Sequence, residues 1–152
     1  PLPLLMADVT EEFLDAVLQE TDTRSLRSRN QLTGYIRNED LPLIYSCASL
    51  FLYPSLRESF GIPVLEAMSC CTPVVTSNTT ALPEIAGDAA CFADPLSEKS
   101  IGDAILKVLD QSSLADELIE KGKRQSRRFD WQASAIQLHQ LYQNISLYAK
   151  PA

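Results

Sequence analysis

The sequence predicts an α/β fold, a doubly wound parallel sheet with helices on both faces. Short apolar runs typical of strands alternate with segments of helical periodicity along the 152-residue chain, and such alternation favours a parallel sheet with helical connections. With 45% hydrophobic residues, the chain can bury one substantial core, so we expect a single domain over residues 1–152. The predicted strands are residues 2–7, 31–35, 50–53, 74–77 and 89–93.

Hydroxyl and carboxyl side chains mark the predicted helix starts. Thr10 precedes apolar residues at helical spacing, and Ser113 with Asp116 has the spacing of a capping box. A terminal helix is predicted over residues 131–149, whereas the polar segment 21–30 is interpreted as a loose, solvated loop.

Residues 54–68, which follow the third predicted strand, carry the strongest functional signal. Glu58 lies in a loop, and Glu66 lies about one turn into a helix that begins near Gly61 and Pro63. The N-terminus of such a helix directs unpaired amide donors towards an anion, commonly a phosphate. Because carboxylates accept hydrogen bonds from hydroxyl groups, two carboxylates flanking an anion site indicate a nucleotide sugar as the ligand.

The motif resembles that of the retaining GT-B glycosyltransferases of family 4, whose hallmark is two glutamates separated by seven residues. The resemblance extends over most of the chain from about Thr33 onward, and it includes residues 73–77, 82–85 and 129–131. It implies a Rossmann-like, nucleotide-sugar-binding carboxyl-terminal lobe of a two-lobed enzyme.

One part of that lobe is not found in the sequence. In the family the lobe opens with a strand and a helix that carry an Arg and a Lys for the diphosphate, whereas Pro1 precedes what matches the second strand. In the usual doubly wound order the absent strand is central. We therefore expect a truncated lobe without a sheet centre, unless strands 2–7 and 50–53 close the gap.

The resemblance implies transfer of a sugar from a nucleotide-diphosphate donor to an acceptor hydroxyl with retention of anomeric configuration. It implies no cofactor and no obligatory metal. Glu58 matches the catalytic glutamate beside the donor sugar, and Glu66 matches the glutamate that holds the ribose hydroxyls. The other residues matched to donor binding are Ser59, Phe60, Gly61, Leu65, Tyr35 and Ile36.

Other functions stay open from the sequence. The chain by itself is expected to be inactive, and a nucleotide-binding module without turnover or a pure interaction domain would keep the same core. An epimerase or phosphorylase of the GT-B type is a weaker alternative, and a lysine-bound pyridoxal phosphate has no evident site. A glycan or lipid-linked acceptor is expected to bind an absent amino-terminal lobe, and self-association through the last helix stays open.

Composition limits the partners and the location. A formal net charge of −7 argues against nucleic acid as a partner. The basic residues between 121 and 128 are interpreted as a solvated helix face rather than a membrane-binding patch. No signal peptide or transmembrane segment is recognised, so we expect a cytoplasmic location, with a peripheral position at the membrane left open.

Several single residues are predicted to have no role in catalysis. His139 and Arg57 are predicted to face solvent, and Trp131, Tyr142 and Tyr148 are interpreted as core or lobe-packing anchors. Ser59, Ser77 and Asn78 have no histidine nearby in the sequence to complete a triad. The four cysteines are predicted to be buried free thiols rather than zinc ligands or disulfides: Cys47, Cys70, Cys71 and Cys91.

Overall fold

The structure, a computed structural model, describes residues 2–148, without the side chains of 146–148. The chain divides into two compact units, Pro1–Leu43 and Ile44–Ala152. Each unit contains parallel strands and helices, which confirms the predicted α/β class. The description of the chain as one nucleotide-sugar-binding domain stays a prediction.

The first unit is built on two parallel strands and one helix. Strand β1 (Leu4–Met6) pairs with β2 (Asn30–Leu32), and helix α1 (Glu11–Glu20) lies between them in the chain. The predicted cap is confirmed, because the Phe13 amide donates to Thr10 Oγ1 over 3.2 Å. The side chains that α1 buries are Leu14 and Leu18, one turn apart.

The interpretation of residues 21–30 as a loose loop was wrong. Arg24–Arg29 form a 3-10 helix, and Arg27 makes an ion pair with Glu11 and donates to Asp15 Oδ1 over 3.0 Å. These contacts join the segment to α1, and the local composition of a polar segment does not reveal them.

The second unit holds most of the helices and a three-stranded parallel sheet in the order β3-β4-β5. Helix α2 contains the boundary between the units. The elements are α2 (Leu41–Cys47), β3 (Phe51–Tyr53), α3 (Ile62–Ser69), β4 (Val74–Ser77), α4 (Leu82–Ala86), β5 (Cys91–Ala93), α5 (Glu98–Asp110), α6 (Ser112–Ser126) and α7 (Trp131–Tyr148).

Strand β4 forms the centre of this sheet. Its register sets Val75 beside Leu52 of β3 and Cys91 of β5, and all four of its residues are buried. Successive strand residues point to opposite faces, so both faces of β4 are covered, as is typical of parallel sheets. On one face Val75 packs with Ala93 and with side chains of α5 and α6: Ala104, Val108 and Leu118.

The predicted strands form two sheets rather than one. The two-stranded sheet holds β1 and β2, and the three-stranded sheet begins with β3.

The capping box predicted at Ser113 and Asp116 was wrong. Helix α5 continues to Asp110 and α6 begins at Ser112, so Gln111 is the boundary residue of both helices and makes no side-chain cap. Ser113 therefore lies inside the first turn of α6. The cap position is occupied by Gln111, which has a non-helical backbone but makes no side-chain hydrogen bond to α6.

Helix α7 begins where predicted, and position 149 lies outside the described residues. Asp130 precedes it and accepts from the Ala133 amide over 3.0 Å. The core interpretation was wrong for Trp131 and Tyr142, which are 81% and 62% exposed, because helical periodicity alone does not establish that a partner surface is present. The side chain of Tyr148 is not described, and His139 is exposed as predicted.

The cysteines are free but not buried. Cys47 and Cys71 are exposed, and Cys70 and Cys91 are half-buried, so the predicted burial was wrong. Cys71 has φ +63° in the turn after α3, which takes its side chain out of the apolar pattern.

Two of the basic residues after position 120, Lys121 and Lys123, form ion pairs on α6, and Arg124, Arg127 and Arg128 are exposed, as the interpretation of a solvated face predicts. Lys121 lies 2.7 Å from Glu117 and 3.1 Å from Asp88, and Lys123 lies 2.7 Å from Glu120. Within residues 2–148, no helix combines the length and the apolar character needed to cross a membrane.

Candidate functional site

The candidate site is built on the loop between β3 and α3. Gly61 ends this loop with φ +100°, and a Cβ at this position would lie 2.7 Å from Leu82 Cδ2. Both the backbone angle and the close approach require glycine. Helix α3 then begins at Ile62 with Pro63 in its first turn, as the sequence predicts.

Glu58 is held in this loop through its side chain and its backbone. The Tyr53 hydroxyl donates a hydrogen bond to Glu58 Oε1, and the Glu58 amide donates to Thr80 Oγ1 over 3.2 Å. Burial, followed by the hydrogen bond and the charge of Glu58, raises the pKa of Tyr53 from 10.0 to about 12. Tyr53 is therefore a neutral donor at physiological pH.

Glu66, on α3, has an equivalent partner. The Tyr45 hydroxyl donates to Glu66 Oε2 over 3.2 Å, and the backbone of Tyr45 is fixed by Thr72, whose hydroxyl donates to its carbonyl over 2.6 Å. Burial first, and then the charge of Glu66, raise the pKa of Tyr45. Each glutamate of the motif thus accepts a hydrogen bond from a tyrosine.

The two tyrosines are joined by one phenylalanine. The rings of Tyr45 and Phe51 meet edge to face at 5.1 Å, and the rings of Phe51 and Tyr53 stack at 5.7 Å. Such contacts stabilise a defined relative orientation of aromatic rings. The anchors of Glu58 and Glu66 therefore belong to one packed aromatic row, Tyr45–Phe51–Tyr53.

A cavity of about 290 Å³ lies against α3 and the start of α7. Three of the predicted site residues line it, namely Phe60, Leu65 and Glu66, together with Phe129 and Trp131. Phe60 and Phe129 meet edge to face at 5.7 Å. The cavity has apolar walls with two carboxylates, those of Glu66 and Asp130, and serine hydroxyl groups in its lining.

The segment after β4 approaches the same loop and is strained. Thr80 has φ +56°, which is an outlier for a β-branched residue and is typical of functional sites. Its hydroxyl accepts from the Glu58 amide. Among the described residues, the buried Thr79 Oγ1 has no hydrogen-bond partner.

The remaining predicted residues divide between the units. Ser59 is exposed in the loop beside Glu58. Tyr35 and Ile36 follow β2 in the first unit, where Tyr35 is 76% exposed and Ile36 is half-buried. Their roles in donor binding stay predictions. Arg57 is exposed, as predicted.

Sequence reasoning missed Tyr45, Tyr53 and Thr80. The two tyrosines lie in apolar runs and were counted as part of the core and strand pattern. A buried tyrosine hydroxyl usually has a hydrogen-bond partner, so two tyrosines near a pair of glutamates were a usable signal. No sequence signal indicated the left-handed backbone of Thr80.

The sequence pattern of a family described as "Glycosyl transferases group 1" matches residues 4–125. O-antigen chain mannosyltransferase B of Escherichia coli is 44% identical over 109 residues, which are 72% of this chain and 29% of that protein. Mannosylfructose-phosphate synthase of Agrobacterium fabrum is 33% identical over 129 residues, 83% of this chain and 28% of the synthase. The chain thus spans less than a third of these relatives.

Solved structures of similar fold include a synthase and a protein in complex with a nucleotide sugar. Sucrose-phosphate synthase from Thermosynechococcus elongatus is 26% identical, with a TM-score of 0.82 over 96% of this chain and 39% of the synthase. HepE of Anabaena, solved in complex with UDP-glucose, is 17% identical, with a TM-score of 0.81 over 93% of this chain and 41% of HepE. The second likeness shows the fold alone.

Proposed function

Since the chain belongs to the group 1 glycosyl transferases, we propose that it forms the donor-binding half of an enzyme that retains anomeric configuration. The reaction transfers a sugar from a nucleotide-diphosphate sugar to an acceptor hydroxyl. The observation that carries the proposal is the pair Glu58 and Glu66, placed before and after the start of α3 and each held by a tyrosine hydroxyl.

The start of α3 is suited to the diphosphate. Gly61, itself buried, leads the backbone into α3 without a side chain, and the first turn of a helix presents the amide groups of its non-proline residues and a positive dipole end. Amides that are fixed before the reaction stabilise negative charge as it develops on the leaving diphosphate. The proposed reaction therefore needs neither a cofactor nor an obligatory metal, and the chelator EDTA should leave donor affinity unchanged.

The two carboxylates are suited to the hydroxyl groups of the donor. Glu58 is proposed to accept from the donor sugar and Glu66 from the ribose, while Ser59, Phe60 and Leu65 lie beside them. The relatives support hexose chemistry, since two of them are a mannosyltransferase and a mannosylfructose-phosphate synthase. A glycan or lipid-linked acceptor, self-association and a cytoplasmic location remain parts of the proposal.

The first test is binding of nucleotides to the chain. The thermal midpoint is measured with UDP, GDP and ADP and with their sugar conjugates, and one base should stabilise the fold by roughly 2.7 kcal/mol at 100 times its dissociation constant. Glu58→Gln and Glu66→Gln should weaken this stabilisation. Glu98→Gln, an exposed change in α5, is the matched control.

Transfer itself is measured in the intact enzyme. Glu58→Ala or Glu66→Gln should lower turnover by orders of magnitude while the fold is kept, and wild-type turnover by both variants would contradict the assigned roles. Nucleotide binding without any transfer would favour the alternative of a binding module. Failure of every nucleotide to bind would argue against the donor site.

A further inference from the structure

We infer that Tyr53 and Tyr45 are positioning residues for donor binding, each holding one oxygen of a motif glutamate so that the other oxygen accepts from a donor hydroxyl. This inference rests on the proposed function. It extends the site beyond the segment 54–68 to a buried tyrosine on α2 and to the last residue of β3.

The side chain of Glu58 depends on Tyr53 for its orientation. Arg57 and Ser59, its neighbours in the loop, are exposed, so they do not pack the carboxylate in place. The Tyr53 hydroxyl donates a hydrogen bond to Glu58 Oε1, and among the described residues no donor is bonded to Glu58 Oε2. Since a carboxylate oxygen accepts up to two hydrogen bonds, Oε2 is available to a hydroxyl of the donor sugar.

Glu66 shows the same arrangement on a different element. The Tyr45 hydroxyl donates a hydrogen bond to Glu66 Oε2, and within residues 2–148 no protein donor is bonded to Glu66 Oε1. Tyr45 is 8% exposed, and its ring packs against Phe51, so its hydroxyl has little freedom to move. A donor fixed by packing restricts the carboxylate before the ligand arrives, and this lowers the entropy lost on binding.

The protonation state of the tyrosines supports this role. Burial and the neighbouring carboxylates raise the pKa of both hydroxyls, so both stay neutral and donate at any pH at which an enzyme works. A tyrosine that donates to a carboxylate cannot be replaced by phenylalanine without freeing that carboxylate, although the ring packing is kept.

Phe51 links the two anchors, because its ring contacts both Tyr45 and Tyr53. Loss of the Phe51 ring would remove the packing that orients the rings of Tyr45 and Tyr53, and with them both hydroxyls. Phe51→Leu should therefore weaken the interactions of both glutamates, whereas each tyrosine variant affects its own glutamate.

The experiment is titration calorimetry of the chain with UDP, UDP-glucose, GDP and GDP-mannose. In Tyr53→Phe the sugar conjugate should bind at least about tenfold more weakly, equivalent to ~1.4 kcal/mol, while the free diphosphate binds as before. In Tyr45→Phe the diphosphate and its conjugate should weaken together, since Glu66 is assigned to the ribose. Tyr142→Phe, on the exposed face of α7, is the matched control.

A purely structural role gives a different result. In Tyr53→Phe it would lower the unliganded thermal midpoint without separating the sugar conjugate from the free diphosphate, and in Tyr45→Phe it would weaken binding further in a variant that already carries Glu66→Gln. In the positioning role, Tyr53→Phe combined with Glu58→Gln weakens the conjugate no more than Glu58→Gln does alone, and Tyr45→Phe behaves in the same way with Glu66→Gln.

The outcomes separate this inference from the proposed function. Suppose that the wild type binds nucleotide and that both tyrosine variants bind it with the same or higher affinity. This result would overturn the inference but not the proposed donor site. Equal loss of diphosphate and conjugate in Tyr53→Phe would overturn the assignment of Tyr53 to the sugar. If wild type bound none of these four nucleotides, nor ADP and its sugar conjugates, the proposed function and the inference would both fail.

Discussion

Gly122 of α6 lies so close to Met68 of α3 that a Cβ at position 122 would be 3.1 Å from Met68 Cγ and 3.2 Å from Met68 Cβ. The two helices pack at this point, and Met68 is 1% exposed. A glycine inside a helix costs stability relative to alanine, so its presence in α6 reflects the close approach of the helices.

We expect Gly122→Ala to lower the free energy of unfolding by about 1 kcal/mol, because overpacking against Met68 outweighs the gain in helix propensity. Gly102→Ala in α5 is the matched control, since a Cβ there meets nothing within 4 Å. That variant should be stabilised by about 0.5–1 kcal/mol. The two variants are compared by their midpoints of urea unfolding. A higher midpoint for Gly122→Ala than for wild type would contradict overpacking against Met68.

Gly61 combines a left-handed backbone with a close approach to Leu82. Gly61→Ala should destabilise the fold by more than about 2 kcal/mol, because strain in φ and overlap with Leu82 add to each other. It should also weaken nucleotide binding, since the start of α3 is displaced. Thermal midpoints with and without nucleotide measure both effects.

Gly34→Ala separates the two causes. Gly34 also has a positive φ, +63°, but a Cβ at this position would meet nothing within 4 Å. The cost should be about 1–2 kcal/mol, the strain of the left-handed conformation alone. If Gly34→Ala and Gly61→Ala lowered the free energy of unfolding equally, the Leu82 side chain would have to move away from the new Cβ without a measurable penalty.

The stability of the fold should fall as the pH rises above the ordinary pKa of tyrosine. The folded state raises the pKa of Tyr53 from 10.0 to about 12, so the neutral hydroxyl contributes its full stabilisation below pH 10. This contribution is lost as the pH rises towards 12. Urea midpoints across that window should fall less steeply for Tyr53→Phe than for wild type, and parallel curves would rule out the shift.

Gln125 is a buried polar residue at the packing of α6 on α4. Its amide donates to the Ile85 carbonyl over 2.7 Å and accepts from Arg128 over 3.1 Å. Gln125→Leu should destabilise by about 1–3 kcal/mol, because the Ile85 carbonyl is left without this donor. Gln140→Ala, at an exposed position of α7, should change the thermal midpoint little; equal effects of the two changes would contradict a role for burial.

Local features of the fold could be predicted from the sequence. Thr10 caps α1 through a hydrogen bond within one turn of the chain. Gly61 with Pro63 marks the start of α3, because glycine permits the left-handed backbone before the helix and proline fits a first helical turn. The strands were located within a few residues, since each is a short apolar run. Such features depend on neighbours in the chain.

The partnerships in the site could not be predicted in the same way. Tyr45 and Glu66 are 21 positions apart, and their hydrogen bond depends on how α2 and α3 are placed around the sheet. Ser113 failed as a cap because α6 already begins at Ser112, directly after Gln111. The apolar stripe of α7 was predicted correctly as a helix, but its burial depends on a surface that helical periodicity does not specify.

Strand β4 has no face towards water, and this limits how residues 74–77 can vary. Val74 and Val75 fill space on opposite sides, while Thr76 and Ser77 are tolerated in the interior because their hydroxyls donate to the carbonyls of Tyr53 and Ser55. At these positions a larger side chain would clash with the packed interior, and a smaller one would leave a cavity. In a scan of every possible substitution, these four positions should form the most intolerant run of the second unit, even though none of them belongs to the proposed donor site.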